Sequence, residues 1–484
     1  MHISDLHRCD QNPVTNEELL SSLLADAARL RTESPPISQP SAIVVSGDLV
    51  RGLPLGDQGY PQALAAQYDQ AQDFLTRLAA EFLAGDNGKV VIVPGNHDID
   101  WNLGRTAMEP ASTKGQDMPT LLAMPRTPYR WSWQDLRLYR ITSEEEYCHR
   151  FRFFCEMYTR FYSGAMTLAL PVDPWRPWNL FSFDDGRIII CAFNSCSRND
   201  CYSRIGLIAP DAIAQGHLQV LAMPIEPSIR LAIWHHDIEG SPSRNDYMDS
   251  DTVKVMIDRG YCMGLHGHRH RSEAAPYSIF TSEEFSMPVI SAGSLCSSGV
   301  DLPSGVRRQY NIIEFDDAAP RARVHVREMQ RIGAFGRGRL DSAGGRSYAD
   351  VEWKPVPSGR SMGTPLTRRE ELALAEEVER LLASGDPHGA IAAVDRSPVV
   401  TSPYLRRLLI NSLDRAEQWP RLITVVGEPH TTEEVTLLVK AMIKLRQWPQ
   451  AEEQLTATGR SALCDATTLR TLRQWVTAER AIAP

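Results

Sequence analysis

The stretch Val90-Val91-Ile92-Val93-Pro94-Gly95-Asn96-His97-Asp98 decides the fold, because a β-branched run typical of a buried strand ends directly in polar side chains. Ala42 to Val45 repeats this arrangement ahead of Gly47-Asp48, and His2-Ile3-Ser4 forms a very short strand that ends at Asp5. We therefore expect the three sets of polar side chains to meet at the carboxyl edge of an open α/β sheet.

Helical patterns separate these strands. Thr15 and Glu18 form a capping-box pattern ahead of the amphipathic run Leu19 to Leu30, and a longer helix is predicted from about Gln62 to Leu83. The first hundred residues thus alternate between strands and helices. The second half is richer in strands, which are predicted at Ile188–Phe193, Leu231–Trp234, Tyr261–Leu265, Val289–Ala292, Tyr310–Phe315 and Ala322–Arg327.

Two histidine motifs follow strands in this second half. His235-His236 follows Leu231–Trp234, and Gly267-His268-Arg269-His270 follows Tyr261–Leu265. Each short motif is weak evidence alone. Together and in order, Asp5-Leu6-His7, Gly47-Asp48, the Gly-Asn-His-Asp stretch and the two histidine motifs would be a rare accident.

The set resembles the signature of the calcineurin-like metallophosphoesterase superfamily, in its bacterial-type phosphodiesterase and nuclease branch. The resemblance covers residues 1 to about 330. It implies an α/β fold, namely a four-layer α/β/β/α sandwich of two mixed sheets, here followed by an all-α C-terminal domain.

The resemblance also implies a site with two divalent metal ions. Asp5, His7 and His270 would bind the first ion, Asn96, His235 and His268 the second, and the carboxylate of Asp48 would bridge them. Carboxylate, amide and imidazole ligands suit Mn, which we favour, or Fe, Zn and Ni. Four residues precede Asp5, fewer than is usual, which implies either a shortened first strand or a start further upstream.

Three neighbouring residues are assigned other roles by the resemblance. His97 would act as general acid or stabilise the leaving oxygen, and Asp98 would orient its imidazole. His236 would point away from the metals and toward substrate. Asp237 stands where the family often has proline.

The implied activity is hydrolysis of phosphodiester bonds by attack of a metal-bridging hydroxide. The substrate would be a nucleotide or nucleic acid, as in a nuclease or a cyclic-nucleotide phosphodiesterase. A protein phosphatase or other phosphomonoesterase is an alternative, although Gly47-Asp48-Leu49-Val50-Arg51-Gly52 places its arginine one residue early for a protein phosphatase. A further alternative is a regulatory sensor that binds phosphoesters with little turnover.

Composition divides the chain into three segments. Residues 1–333 form the phosphoesterase domain, with 101–185 as an aromatic and arginine-rich insertion or cap. This cap either packs an accessory core helix, which we favour, or stacks bases as a lid. Residues 334–365 are predicted as a linker, and residues 366–484 as a helical domain. Prolines 387, 420 and 449 lie 33 and 29 residues apart in this domain, as in tetratricopeptide-like repeats or in a plain bundle, and a protein partner is predicted for it.

Overall composition excludes some classes of protein. The 484 residues carry a net charge of −9, so a strongly basic surface for nucleic acid is absent. No apolar run is long enough to span a bilayer and no signal segment is visible, so we predict a cytoplasmic protein without membrane contact. The nine cysteines are predicted to be reduced thiols.

Overall fold

The computed structural model divides into two compact units, one of residues 1–277 and 286–355 and the other of residues 278–285 and 356–484. The residues that the structure describes are 1–113, 115, 117–123, 127–166, 168, 172, 177–223, 227–238, 246–278, 286–299, 301–316, 319–331, 333–354, 365–395, 403–427, 429, 431–461, 464 and 466–482.

Sixteen strands are present in the described residues. They are β1 His2–Ile3, β2 Ile43–Val45, β3 Val90–Ile92, β4 Met108–Ala111, β5 Tyr129–Ser132, β6 Arg137–Ile141, β7 Trp178–Phe183, β8 Ile188–Phe193, β9 Ile229–Ile233, β10 Met263–His266, β11 Glu273–Ser278, β12 Ser286–Ser291, β13 Gln309–Phe315, β14 Arg321–Arg331, β15 Ala334–Arg337 and β16 Tyr348–Glu352.

These strands form two large sheets and one small sheet. The seven-stranded sheet has the order β15-β14-β13-β1-β2-β3, with β16 also paired to β14, and the six-stranded sheet has the order β11-β12-β10-β9-β8-β7. Both large sheets are mixed. For example, β1 is parallel to β2 and antiparallel to β13. The predicted sandwich of two mixed sheets with flanking helices is therefore confirmed.

Eight α-helices accompany the sheets in the described part of the first unit. They are α1 Asn16–Ala27, α2 Gln62–Phe82, α3 Trp101–Thr106, α4 Met118–Ala123, α5 Glu144–Cys148, α6 Arg152–Tyr162, α7 Pro210–Leu221 and α8 Ser250–Asp258. The capping box predicted at the start of α1 is present, since the side chains of Thr15 and Glu18 exchange hydrogen bonds with each other's backbone N–H groups.

The first strand is short but central. β1 has only two residues, yet it lies between β2 and β13, so His2 pairs with both Val44 and Asn311. Ile3 is fully buried in a core that also takes in Leu231 and Leu265 from the other large sheet. Pairing on both sides and burial compensate for the shortness of this strand, and they fix where the chain turns at Asp5.

The insertion after residue 100 has two parts with different packing. β4, β5 and β6 form a separate three-stranded sheet, which we call the cap sheet. By contrast, α6 packs against α2 and buries Phe154, Tyr158 and Phe161 in the main core. This supports core packing, rather than base stacking, for the aromatic residues of α6. The insertion also ends before residue 185, because β7 already pairs with β8.

The prediction of a linker from residue 334 is wrong for most of its length. β15 and β16 both pair with β14, so the seven-stranded sheet extends to Glu352. The segment that contains them is rich in Gly, Ser and Arg and has no strand periodicity of its own, and both strands are stabilised by hydrogen bonds to β14. Residues 355–364 lie outside the described residues.

The second unit is helical where it is described. Its helices are α9 Pro365–Ala383, α10 Pro387–Asp395, α11 Pro403–Arg415, α12 Trp419–Val426, α13 Thr432–Lys444, α14 Trp448–Ser461 and α15 Ala466–Ile482. Each contacts the next helix in the chain, and all contribute to one apolar core. α10 begins at Pro387, and α12 and α14 begin one residue before Pro420 and Pro449. The protein partner predicted for this unit stays a prediction.

Two further expectations can be compared with the structure. All nine cysteines lie in the described residues and each is a free thiol. No helix in the described part of the chain is both long enough and apolar enough to cross a membrane.

Candidate metal centre

A first group of ligand-type side chains gathers at the carboxyl ends of β1 and β2. Asp5, His7, Asp48 and His270 each offer one ligand atom, and these atoms all lie within 4.8 Å of one another. The Nε2 atoms of His7 and His270 are 3.1 Å apart, and His270 Nε2 is 3.2 Å from Asp5 Oδ1. Motifs that are far apart in the sequence therefore meet at one point.

A second group lies beside the first and shares Asp48. The Oδ1 atom of Asn96 is 2.9 Å from His235 Nε2 and 2.9 Å from His268 Nδ1. Asp48 Oδ2 lies 3.3 Å from His235 Nε2 and 3.7 Å from His7 Nε2, so one carboxylate oxygen faces both groups. The structure thus brings together all seven residues that the sequence suggested as metal ligands.

Unusual backbone geometry aims these side chains. Five of the seven residues have positive φ angles between 45° and 70°, a region that non-glycine residues rarely occupy. They are Asp5, His7, Asp48, His268 and His270. Left-handed turns directly after the strands let residues close in sequence, such as Asp5 and His7, face the same point. Such strain is characteristic of functional sites that the surrounding fold holds in place.

Two glycines allow the loops to approach closely. A Cβ atom on Gly95 would lie 2.1 Å from Asp48 Oδ1, and one on Gly267 would lie 1.9 Å from Ser4 Oγ. Any larger residue at either position would displace the loops that carry Asp48 and Asp5. The glycines of both motifs are therefore required by packing.

The residues present fit a pair of divalent cations. Asp5 Oδ1 is buried and accepts no hydrogen bond. The Nδ1 atoms of His235 and His270 lie 2.8 and 2.7 Å from the carbonyl oxygens of Ser46 and Asp301. Each Nδ1–H therefore donates to a carbonyl, so Nε2 is the atom that would bind a metal ion in place of a proton, which is the usual arrangement of a metal-binding histidine.

The electrostatics of the centre favour added positive charge. Burial alone would raise the pKa values of Asp48 and Asp5, but neighbouring histidines, chiefly His235 and His270, hold both well below the usual range. Burial likewise disfavours the charged imidazoles, yet Asp48 and Asp5 raise the pKa values of His235 and His270 to about 9. The ionised carboxylates thus attract cations, whether protons or metal ions.

His97 lies beside the first group, as the resemblance implied. Its backbone N–H donates to Asp48 Oδ1 at 2.8 Å, and its ring meets the His7 ring edge-on, with centroids 4.7 Å apart. Burial lowers the pKa of His97 to about 4, although Asp48 opposes this. Its Nδ1 is 2.7 Å from the carbonyl oxygen of Arg51, which leaves Nε2 free.

The role predicted for Asp98 is wrong. Its carboxylate accepts from the backbone N–H groups of Gly95, Leu49 and Val50 at 2.8 to 3.2 Å, and its side chain is buried. It therefore ties the loop after β3 to the loop after β2. Orientation of the His97 ring falls to the Arg51 carbonyl, which no side-chain motif could reveal.

The expectation that His236 faces substrate is also wrong. His236 is fully buried, and its two ring nitrogens contact Ser195 Oγ at 2.9 Å and Asn199 Oδ1 at 3.1 Å. Asp237, in the place of the usual proline, pairs with Arg269. This ion pair joins the two histidine motifs and was not expected from the sequence. Asp246 Oδ2 also lies 3.7 Å from His268 Nε2.

Taken together, a two-sheet sandwich and paired ligand groups at its strand ends define a metallophosphoesterase, a hydrolase of phosphoric esters. The chain belongs to the calcineurin-like phosphoesterases, whose family pattern matches residues 1–272, more than half of its length.

Solved structures with a similar arrangement are distant in sequence. A dimetal phosphatase from Danio rerio is 10% identical with a TM-score of 0.37, and the match covers 73% of this chain and 98% of that one. A 5'-nucleotidase from Candida albicans is 12% identical with a TM-score of 0.33, and the match covers 66% of this chain and 48% of that one. The calcineurin-like phosphoesterase YfkN from Bacillus subtilis is 10% identical with a TM-score of 0.26, and the match covers 76% of this chain and 95% of that one. No curated protein matches the chain.

Proposed function

We propose that the protein is a dinuclear metal-dependent phosphodiesterase that acts on nucleotides or nucleic acid. The observation that carries this proposal is the position of Asp48 Oδ2, within 3.7 Å of His7 Nε2 and 3.3 Å of His235 Nε2. A carboxylate shared between two imidazole groups is suited to bridging two cations.

The chain's residues divide between two ions in this proposal. Asp5, His7 and His270 hold one, Asn96, His235 and His268 hold the other, and Asp48 serves both. Bound divalent ions, with Mn favoured, neutralise phosphate oxygens and lower the pKa of water. The protein fixes the two ligand groups and places His97 beside them.

His97 is proposed to assist the leaving oxygen. Its Nδ1–H is committed to the Arg51 carbonyl, so Nε2 is the atom available to substrate. In the free protein the imidazole is neutral at pH 7, because burial lowers its pKa to about 4. The ring would act in its protonated form, in which Nε2–H donates to the leaving oxygen as negative charge develops there.

Two arginines near the ligands, Arg269 and Arg8, are engaged by other groups, which supports a diester over a monoester. Arg269 pairs with Asp237 and Glu273, and Arg8 is buried and donates to the Val14 carbonyl at 2.9 Å. A monoester dianion needs more positive charge from the protein to neutralise it than a singly charged diester does. The engaged charges of these two arginines match the smaller requirement.

A nucleotide or nucleic acid substrate is supported by the tip of the cap sheet. The Trp133 indole there is 81% exposed, and Arg137 is exposed beside it. Exposed indoles with neighbouring cations are suited to stacking bases. Phe154, Tyr158, Phe161 and Tyr162 of α6 do not contribute, since they are buried.

Hydrolysis assays test this function. Wild type, His97→Ala and Asp48→Asn would be compared on bis-p-nitrophenyl phosphate, p-nitrophenyl phosphate, and single- and double-stranded DNA, with Mn²⁺ and with EDTA. We expect Mn-dependent diester cleavage that is strongly reduced in both variants. Exclusive turnover of the monoester would replace the proposal with a phosphomonoesterase, and no turnover by Mn-loaded wild type would indicate the sensor alternative.

A further inference from the structure

Ser195 lies just beyond β8, fully buried, and contacts the backbone of the motif that carries His235. Its Oγ atom is 3.1 Å from the backbone nitrogen of His235 and 3.2 Å from that of His236. We infer that Ser195, His236 and Asn199 are positioning residues for the second metal ion, an inference that rests on the two-metal centre proposed above.

The hydrogen-bond directions in this group are determined by its chemistry. Ser195 Oγ accepts from two backbone N–H groups, so its own hydrogen is donated to His236 Nδ1, 2.9 Å away. His236 must then carry its proton on Nε2, which donates to Asn199 Oδ1 at 3.1 Å. The Asn199 amide group donates in turn to the Ile205 carbonyl. Each donor in this series of hydrogen bonds has an acceptor, so the series has a single low-energy arrangement of its protons.

Packing holds the same group from the other side. A Cβ atom on Gly206 would lie 2.6 Å from the Cβ of His236, so this loop lies directly against the imidazole. Arg150, which is buried, donates to the carbonyls of Ser197 and Asn199 at 2.9 and 3.0 Å. The short segment between α5 and α6, which carries Arg150, therefore fixes the loop of Ser195 and Asn199 to the remainder of the first unit.

The first metal ion has a separate support of the same type. Ser294 is fully buried, and its hydroxyl donates to the backbone carbonyl of Asp5 at 2.7 Å. Ser195 thus supports the backbone of a second-group ligand and Ser294 that of a first-group ligand. Loss of either serine should weaken one ion more than the other, which a general loss of stability would not do.

The test is binding of Mn²⁺ to metal-free protein, measured by equilibrium dialysis, which needs no substrate. We expect two ions per wild-type chain. Ser195→Ala should bind one of them about 10- to 100-fold more weakly, as is typical when a residue that orients a metal ligand is removed. Asn199→Ala leaves the Ser195 contact to His235 in place. It should change affinity in the same direction, and it provides the test if Ser195→Ala does not fold.

An Asn96→Ala background assigns the effect to one ion. This substitution removes a second-group ligand, so the remaining ion reports on the first group. In the Asn96→Ala protein, adding Ser294→Ala should weaken Mn²⁺ binding by the remaining ion site. Adding Ser195→Ala instead should leave the Mn²⁺ affinity within about twofold of that of Asn96→Ala alone. Equal weakening by both serines, or wild-type affinity for both ions in Ser195→Ala and Asn199→Ala, would overturn the inference. A wild type that binds fewer than two ions would overturn the metal centre itself.

Discussion

The Nε2 atoms of His7 and His270 lie 3.1 Å apart, although the two residues are 263 positions apart in the sequence. Both rings also face Asp5 Oδ1, an oxygen that accepts no hydrogen bond. Two imidazole nitrogens and a carboxylate oxygen at these distances could hold a metal ion. This contact joins the first and last motifs of the family pattern.

Metal binding should stabilise the protein. Because the ligand groups form only on folding, added Mn²⁺ should raise the melting temperature, and the shift should grow with the logarithm of its concentration. Asp48→Asn should abolish most of this shift, since it removes the shared carboxylate. Thermal denaturation with Mn²⁺ and with EDTA measures it. Asp251→Asn, which changes an exposed aspartate of α8, is the control and should retain the wild-type shift.

His97→Ala should lower kcat by about 100- to 10,000-fold while Mn²⁺ content stays unchanged, because the ring assists the leaving group and is not a ligand. The loss should be smaller for a nitrophenolate leaving group than for an alkoxide, which needs a proton more. Steady-state rates on the two kinds of diester check this. His149→Ala, at an exposed histidine, should have wild-type rates. Equal losses on both substrates would argue against a role at the leaving oxygen.

Gly95→Ala should disrupt the metal centre, because the new Cβ atom would lie 2.1 Å from Asp48 Oδ1. We expect a loss of about 1–3 kcal/mol in the free energy of unfolding, together with weaker Mn²⁺ binding. Urea denaturation and metal analysis measure the two effects. Gly299→Ala is the matched control, since a Cβ atom there meets nothing within 4 Å. A Gly95→Ala protein with normal metal content would show that the loops can separate without consequence.

A buried ion pair away from the metals should control stability alone. Asp26 accepts from Arg327 Nε and Nη2 at 2.8 and 2.6 Å and from the Tyr310 hydroxyl at 2.7 Å. Asp26→Ala should cost about 3–5 kcal/mol, because it leaves a buried guanidinium poorly paired. Asp350→Ala breaks an ion pair to Arg323, which lies in β14 like Arg327. The side chains of Arg323 and Asp350 are 37% and 51% exposed, so this change should cost less than about 1 kcal/mol.

Urea denaturation compares these two variants, and Mn²⁺ binding by the folded protein should be unchanged in both. Similar unfolding free energies for Asp26→Ala and Asp350→Ala would contradict the distinction between buried and exposed pairs.

Residue types at strand ends made most of the fold, and the gathering of the seven candidate ligands, predictable. β-branched runs indicated the strands, and polar residues directly after them indicated the edge where Asp5, Asp48 and Asn96 meet. Roles that depend on orientation were not predictable. His235 and His236 are adjacent, and the backbone sends one toward Asn96 and the other toward Asn199.

Hydrogen-bond partners that are backbone groups could also not be predicted from the sequence. The carbonyl of Arg51 orients His97, and backbone N–H groups occupy Asp98, although residue types alone suggested that Asp98 would serve His97. β15 and β16 had no strand periodicity of their own, and their pairing is provided by β14. Local patterns identify which residues gather, whereas long-range contacts decide what each of them does.

The most direct test of the two-metal centre is a crystal structure of Mn-loaded protein with anomalous difference maps. We predict two peaks about 3.5–4 Å apart, on either side of the Asp48 carboxylate. One peak should lie against Asp5, His7 and His270, and the other against Asn96, His235 and His268. A single peak, or peaks that do not share Asp48, would contradict the account.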